Sequence, residues 1–153
     1  MTVRIGIAGL PGRMGREVSA LALRDPAVTV TGGWSRGNQE PVLGVPVTSD
    51  LSALLATCDV LIDFTKAAAT PTVATACAAA GVPLVTGVTG QTAEEDAALR
   101  AAANSVAVFH AANMSPGVNA MLAVLPALVR ALQGYDLELV EAHHRHKVDA
   151  DRV

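Results

Sequence analysis

The chain is 153 residues long, 51% hydrophobic and only 3% aromatic, with a formal net charge of −3. That length suits one domain with a proper core, and the alanine-rich composition predicts helices packed closely on a sheet through small side chains. The charge balance and the lack of a basic stripe argue against nucleic acid as a partner, no apolar run approaches the roughly 20 residues of a membrane span, and two cysteines with no secretory leader fit a reducing, cytoplasmic setting.

The first apolar run, residues 3–8, reads as a buried strand that stops at glycine. The turn Gly9-Leu10-Pro11-Gly12-Arg13-Met14-Gly15 follows, and Val18, Leu21 and Ala22 then recur at helical spacing over residues 16–23. Strand, glycine-rich turn and helix in that order are the setting of a dinucleotide motif. Glycines let the backbone approach a pyrophosphate, and the open N–H groups of the helix face it. The spacing is G-x-x-G-x-x-G, with Pro11 where the commoner motif has glycine. Alone, such a turn is a weak signal, and a β–α connection that binds nothing is the less favoured competing reading.

Residues 28–31 read as a second strand ending at Gly32-Gly33-Trp34. In a dinucleotide fold the tip of this strand meets the adenosine ribose, where an acid would bond the 2′-hydroxyl. Ser35 and Arg36 stand there instead, a pair suited to a 2′-phosphate, which favours NADPH over NADH. A solvent-facing arginine is the competing reading. After a loop over 38–50, Ser49 or Asp50 caps a short helix through Leu51, Leu54 and Leu55. Residues 59–65 form a continuous apolar strand of the kind found at the centre of a parallel sheet. Thr70-Pro71 opens a helix with Thr70 as its cap, and Gly81 ends it. Cys77, on that helix, has no base beside it and reads as a core residue.

Residues 82–86 are the next strand, left by the loop Gly87-Val88-Thr89-Gly90. Thr92 to Glu95 is a capping box opening a helix carried by Leu99 and Ala102. Residues 106–111 form a further strand, and Ser115-Pro116 starts a leucine-rich helix that Pro126 should kink or break. The repeated β–α order predicts an α/β fold: a doubly wound parallel sheet with helices on both faces. The loops at Gly9, Ser35, Phe64, Gly87 and Ala112 all leave carboxyl ends of strands, the edge at which such sheets bind ligands.

Residues 136–142 read as a last strand delivering His143-His144-Arg145-His146-Lys147. An anionic substrate, a solvated basic loop and a metal site all compete for this cluster. Metal is disfavoured by the adjacent cations and the missing partner motifs, so no metal ligand is assigned. Imidazole and ammonium groups can donate protons near neutral pH.

Taken together, Gly9-x-x-Gly12-Arg13-Met14-Gly15, Val60-x-Ile62-Asp63-Phe64-Thr65, Gly87-Val88-Thr89-Gly90, Ala111-Ala112-Asn113-Met114-Ser115-x-Gly117-Val118-Asn119 and Glu141-Ala142-His143-His144-Arg145-His146-Lys147-Val148-Asp149 occur in that order. The chain thereby resembles the 4-hydroxy-tetrahydrodipicolinate reductases (dihydrodipicolinate reductases) of diaminopimelate and lysine synthesis, over essentially its whole length. The resemblance implies a Rossmann-like dinucleotide-binding domain over residues 1–142, with the start of a substrate segment, cut short, over 143–153. It implies that Gly9, Leu10, Pro11, Gly12, Arg13 and Met14 cradle the pyrophosphate of NADPH or NADH, and that Ser35 and Arg36 sit at the adenosine ribose. Gly87, Val88 and Thr89, with Ala111, Ala112, Asn113 and Met114, would contact the nicotinamide half. His143 and Lys147 would be catalytic proton donors to a small dicarboxylate, a cyclic imine, with His144 touching it. The family also implies a homotetramer where the protein is longer.

Some positions depart from the family pattern. Val88 replaces a threonine, Pro11 and Pro126 are less usual, and the proline-serine-glycine-threonine that follows the aspartate in relatives is replaced by Ala150-Asp151-Arg152-Val153. The family's second, substrate and tetramer-forming domain is expected to be missing from these residues, so their turnover alone should be low or undetectable. A non-catalytic NAD(P)-binding module is the alternative, and a histidine-based metal-binding protein a third reading.

Overall fold

A computed structural model describes residues 2–136, 138 and 140. They fall into two compact units, divided between Ala112 and Asn113.

The first unit is built on a parallel six-stranded sheet. In chain order its strands are β1 (Val3–Ala8), β2 (Val28–Trp34), β3 (Val47–Thr48), β4 (Val60–Asp63), β5 (Leu84–Thr86) and β6 (Val108–His110). Their spatial order is β3-β2-β1-β4-β5-β6, so the chain winds outward from β1 and then returns to lay β4 on its other side. The doubly wound expectation holds, and the winding reverses between β1 and β4. A crevice opens at such a reversal on the carboxyl edge.

The pleat explains the two-sided core. Ile5 and Ile7 point to one face and pack with Leu10, Val18 and Ala22, where α1 (Arg13–Ala22) lies. Ala8 and Leu61 point to the other, which is covered by α2 (Leu51–Leu55), α3 (Thr70–Ala80) and α4 (Ala93–Ala102) through Leu54, Val73, Ala74, Cys77 and Leu99. Gly6 belongs to this second face, and a Cβ there would sit 3.1 Å from Cys58 Sγ and 3.2 Å from Leu54 Cγ. Small residues thus set the close spacing that the composition implied.

Several boundaries differ from the sequence reading, each for a visible reason. Helix α1 begins at Arg13 rather than Arg16, with Gly12 in an extended conformation as its N-cap. Strand β2 continues through both glycines to Trp34, after a register shift opposite Ile5 and Gly6. The side chains of Leu54 and Leu10 fill the space that a Cβ on Gly32 or Gly33 would need. Thr70 does not cap α3: a 3-10 turn, Ala67–Ala69, precedes it and makes Ala69 the cap. The Thr70 hydroxyl is buried, with no hydrogen-bond partner among the described residues. Asp50 caps α2, Gly81 ends α3 at φ 69°, and the Thr92–Glu95 capping box is complete.

The second unit contains α5 (Pro116–Ala131), capped by Ser115. It runs unbroken through Pro126, so the proline costs one bond, to the Leu122 carbonyl, without ending the helix. Among the described residues no helix is long and apolar enough to cross a membrane. The strand expected over 136–142 and the segment 143–153 lie outside the described residues in all but Asp136, Glu138 and Val140.

Candidate functional site

The carboxyl edge of the first unit is organised around the turn after β1. Gly9 takes φ 80°, a conformation that favours glycine, and a Cβ there would lie 2.7 Å from the Phe64 carbonyl oxygen. The loops leaving β1 and β4 therefore meet at the point where the sheet reverses. Two hydrogen bonds fix the turn: the Gly9 N–H donates to the Trp34 carbonyl and the Gly12 N–H to the Gly9 carbonyl, both at 2.9 Å. A Cβ on Gly15 would collide with the Gly9 carbonyl, so the third glycine lets α1 pack directly under the turn.

The start of α1 is open. Gly12 offers no side-chain cap, and no acid lies in the first turn. The main-chain N–H groups of Arg13, Met14 and Gly15 are those that helical geometry leaves without an intrahelical acceptor, at the positive end of a ten-residue helix. The Arg13 side chain is exposed and has no partner among the described residues. Leu10 points the other way. Its side chain is fully buried under Gly33, so only its backbone borders the edge. Pro11 donates nothing, and its carbonyl accepts from Arg16 Nε at 3.1 Å.

At the tip of β2 the Ser35 hydroxyl accepts from the Gly37 N–H at 3.3 Å. Arg36 is exposed and unpaired among the described residues, and no carboxylate stands between Ser35 and Asn38.

On the other side of the reversal the ends of β4, β5 and β6 are tied together. Asp63 is fully buried at the end of β4. One carboxylate oxygen accepts from the Thr65 N–H at 2.9 Å, and the other from the Thr86 hydroxyl at 3.3 Å. Burial pushes its acidity down, raising the pKa above the usual carboxylate value, and the bonds from Thr65 and Thr86 oppose that rise. The Asp63 carbonyl accepts from the Gly87 N–H at 3.0 Å. The half-buried ring of Phe64 lies where a Cβ on Gly87 would be, so Phe64 and Gly87 are mutually fitted.

Val88 is buried, and both its polar backbone groups are taken. Its N–H donates to Thr86 Oγ1 at 3.3 Å. Its carbonyl accepts from Gln91 Nε2 at 3.0 Å and faces His110 Nε2 at 3.1 Å. Thr89 is exposed beside it, and Ala111 begins the next loop with its N–H donating to the Thr86 carbonyl at 3.2 Å.

The sequence-derived residues thus divide into three groups. Gly9 to Met14, Ser35, Arg36, Gly87 to Thr89, Ala111 and Ala112 share the carboxyl edge of the first unit. Asn113 and Met114 belong to the second unit. There Asn113 Oδ1 accepts from the Ser115 N–H at 2.7 Å, and its carbonyl from Asn119 Nδ2 at 3.1 Å. His143, His144 and Lys147 lie outside the described residues. Asp63, Phe64, Thr86, Gln91 and His110 were given no role from sequence. The Asp63-Phe64-Thr65 motif flagged two of them, but only cross-strand register shows that Thr86 and His110 act on one loop.

The cysteines are core residues. Burial raises the thiol pKa of Cys58 and pushes Cys77 up to about 12, which removes thiolate reactivity.

A parallel sheet in this strand order, with a glycine turn and open helix N-terminus at its reversal point, defines a Rossmann-like domain. Comparison with known proteins then gives the family. The family described as "Dihydrodipicolinate reductase, N-terminus" matches residues 3–114. The 4-hydroxy-tetrahydrodipicolinate reductase of Halorhodospira halophila is 44% identical over 98% of this chain and 61% of its own length. That of Burkholderia multivorans is 42% identical over 97% of this chain and 60% of its own. In structure, a dipicolinate-bound dihydrodipicolinate reductase from Paenisporosarcina sp. TG-14 superposes with a TM-score of 0.71 at 23% identity, covering 86% of this chain and 55% of that one. The chain belongs to the dihydrodipicolinate reductase N-terminal family, and it spans about 60% of the length of the curated relatives it matches.

Proposed function

We propose that this chain is the nucleotide-binding part of an NAD(P)H-dependent 4-hydroxy-tetrahydrodipicolinate reductase. The observation that carries the reading is the uncapped, acid-free start of α1, set by Gly9, Gly12 and Gly15 at the reversal point of the sheet. In it the open N–H groups of α1 and the Arg13 side chain hold the pyrophosphate. Arg36, with Ser35, receives the adenosine end, and the unpaired arginine with no neighbouring carboxylate favours the 2′-phosphate of NADPH. Gly87 to Thr89, with Ala111 and Ala112, receive the nicotinamide half, and Asn113 and Met114 are assigned there by their match to the family motif.

The bound cofactor supplies a hydride to a cyclic imine bearing two carboxylates. Protonation of the electron-rich partner falls to His143 and Lys147, with His144 against the substrate. These roles rest on the match of 141–149 to the family motif. By the same match, residues 1–142 form the nucleotide domain, 143–153 begin the substrate segment, and the whole protein works as a homotetramer.

Calorimetric titration with NADPH and NADH tests the cofactor reading. Binding of NADPH in the micromolar range is expected, and no binding of either at millimolar concentration would sink it. Coupled turnover of the imine tests the reaction. Lys147→Ala in an active form should lower kcat far more than it weakens nucleotide binding, and equal effects would assign Lys147 a structural role only.

A further inference from the structure

The loop that follows β5 is anchored from both ends of one residue. Thr86 and His110 are register partners on the neighbouring parallel strands β5 and β6, so their side chains rise on the same face of the sheet. Thr86 takes the Val88 N–H. His110 Nε2 lies 3.1 Å from the Val88 carbonyl, which also accepts from Gln91. A carbonyl has two lone pairs, and here both have a donor. Facing an oxygen, His110 Nε2 must carry its proton, as it does in one neutral tautomer and in the imidazolium. The 3.4 Å approach of Gln91 Nε2 to His110 Nε2 is then two donors converging on a shared acceptor.

The two donors do different things. Gln91 closes the loop on itself, three residues on. His110 adds a tie to β6, beside those that the Val88 N–H makes to Thr86 and the Gly87 N–H to Asp63. Val88 can make no polar contact of its own to a ligand, since its N–H and carbonyl are already engaged. Its neighbour Gly87 is held directly as well, its N–H donating to the Asp63 carbonyl at 3.0 Å.

We infer that His110 is a positioning residue: through the Val88 carbonyl it fixes loop 87–90 in the attitude that receives the nicotinamide half of the cofactor. The inference rests on the cofactor reading above. Without His110 the loop keeps its bonds to Gln91, Thr86 and Asp63 but loses its tie to β6, and restraining it on that side becomes part of the cost of binding. Because His110 is exposed, its removal takes nothing from the core.

The test is titration of the chain and its His110→Ala and His110→Gln variants with NADPH and with 2′-phospho-ADP-ribose, which lacks the nicotinamide. The alanine variant should bind NADPH about fivefold more weakly, the scale of one hydrogen bond, and 2′-phospho-ADP-ribose as the parent does. Glutamine, whose amide nitrogen reaches a similar position, should restore NADPH binding. Unchanged NADPH affinity in the alanine variant would overturn the role of His110 and leave the cofactor site standing. Equal weakening of both ligands would also overturn it, since the effect would not be local to the nicotinamide end. Binding of neither ligand by the parent chain would overturn the cofactor reading and this inference together.

Discussion

Thr86 and His110, partnered across β5 and β6, grip opposite ends of Val88: one accepts its N–H and the other meets its carbonyl. Thr86 also passes the restraint inward, because its hydroxyl donates to the buried Asp63 carboxylate. Replacing it with valine keeps the shape but strands two polar groups. Thr86→Val should destabilise the fold by about 1–3 kcal/mol, the cost of leaving the Val88 N–H and one Asp63 oxygen unpaired. Urea unfolding midpoints check this, and an unchanged midpoint would mean that the hydroxyl carries no strain-free hydrogen bond.

Asp63 adds a pH signature. Burial raises its native pKa above the unfolded value, so the folded state holds a proton that the unfolded state has released. Stability therefore falls as pH rises from the ordinary carboxylate value, about 4, through the raised native one. Asp63→Asn removes this titration. Relative to the parent, the asparagine variant should gain stability as pH rises across that window and stay level above it. Thermal unfolding as a function of pH reads the difference, and parallel curves would show that Asp63 keeps its ordinary acidity.

The elements that depend on local pattern were legible in the sequence, and those that depend on neighbours were not. The Thr92–Glu95 box and the Gly81 cap are local chemistry and fall where expected. The glycines of β2 look like a strand end until Leu10 and Leu54 are seen filling the space beside them. Thr70 has every local feature of a cap, yet three alanines wind a 3-10 turn ahead of it and move the cap to Ala69. The site divides the same way. The glycine turn and the order of loops along the edge were readable from β–α alternation. His110 was invisible, because its role exists only once β5 and β6 are in register.

Gly87 and Phe64 make a further prediction, since the glycine is required by the ring and not by its backbone angles. A methyl group at position 87 would overlap Phe64. Gly87→Ala alone should cost about 1–3 kcal/mol, the range for overpacking a fitted contact. In the Phe64→Ala background the same change should cost much less, because the space is then free. A double-mutant cycle in urea measures the coupling, and strict additivity would mean that the two residues do not share that space.

Arg36 offers the most direct reading of cofactor choice. It stands exposed after β2, unpaired among the described residues, with Ser35 bonded to the Gly37 N–H and no carboxylate at the tip. An arginine bonded to a 2′-phosphate contributes on the scale of a charged hydrogen bond, about 1.5–3 kcal/mol. Arg36→Ala should therefore weaken NADPH by about 10- to 100-fold while leaving NADH almost unchanged. Because the contact is solvent-exposed, the NADPH preference should also shrink as salt is raised. Titrations of both cofactors at two ionic strengths separate the effects. If the variant loses NADH and NADPH equally, Arg36 holds the loop or the adenosine and does not read the phosphate. If it loses neither, the Arg36 side chain is simply solvated and does not read the phosphate.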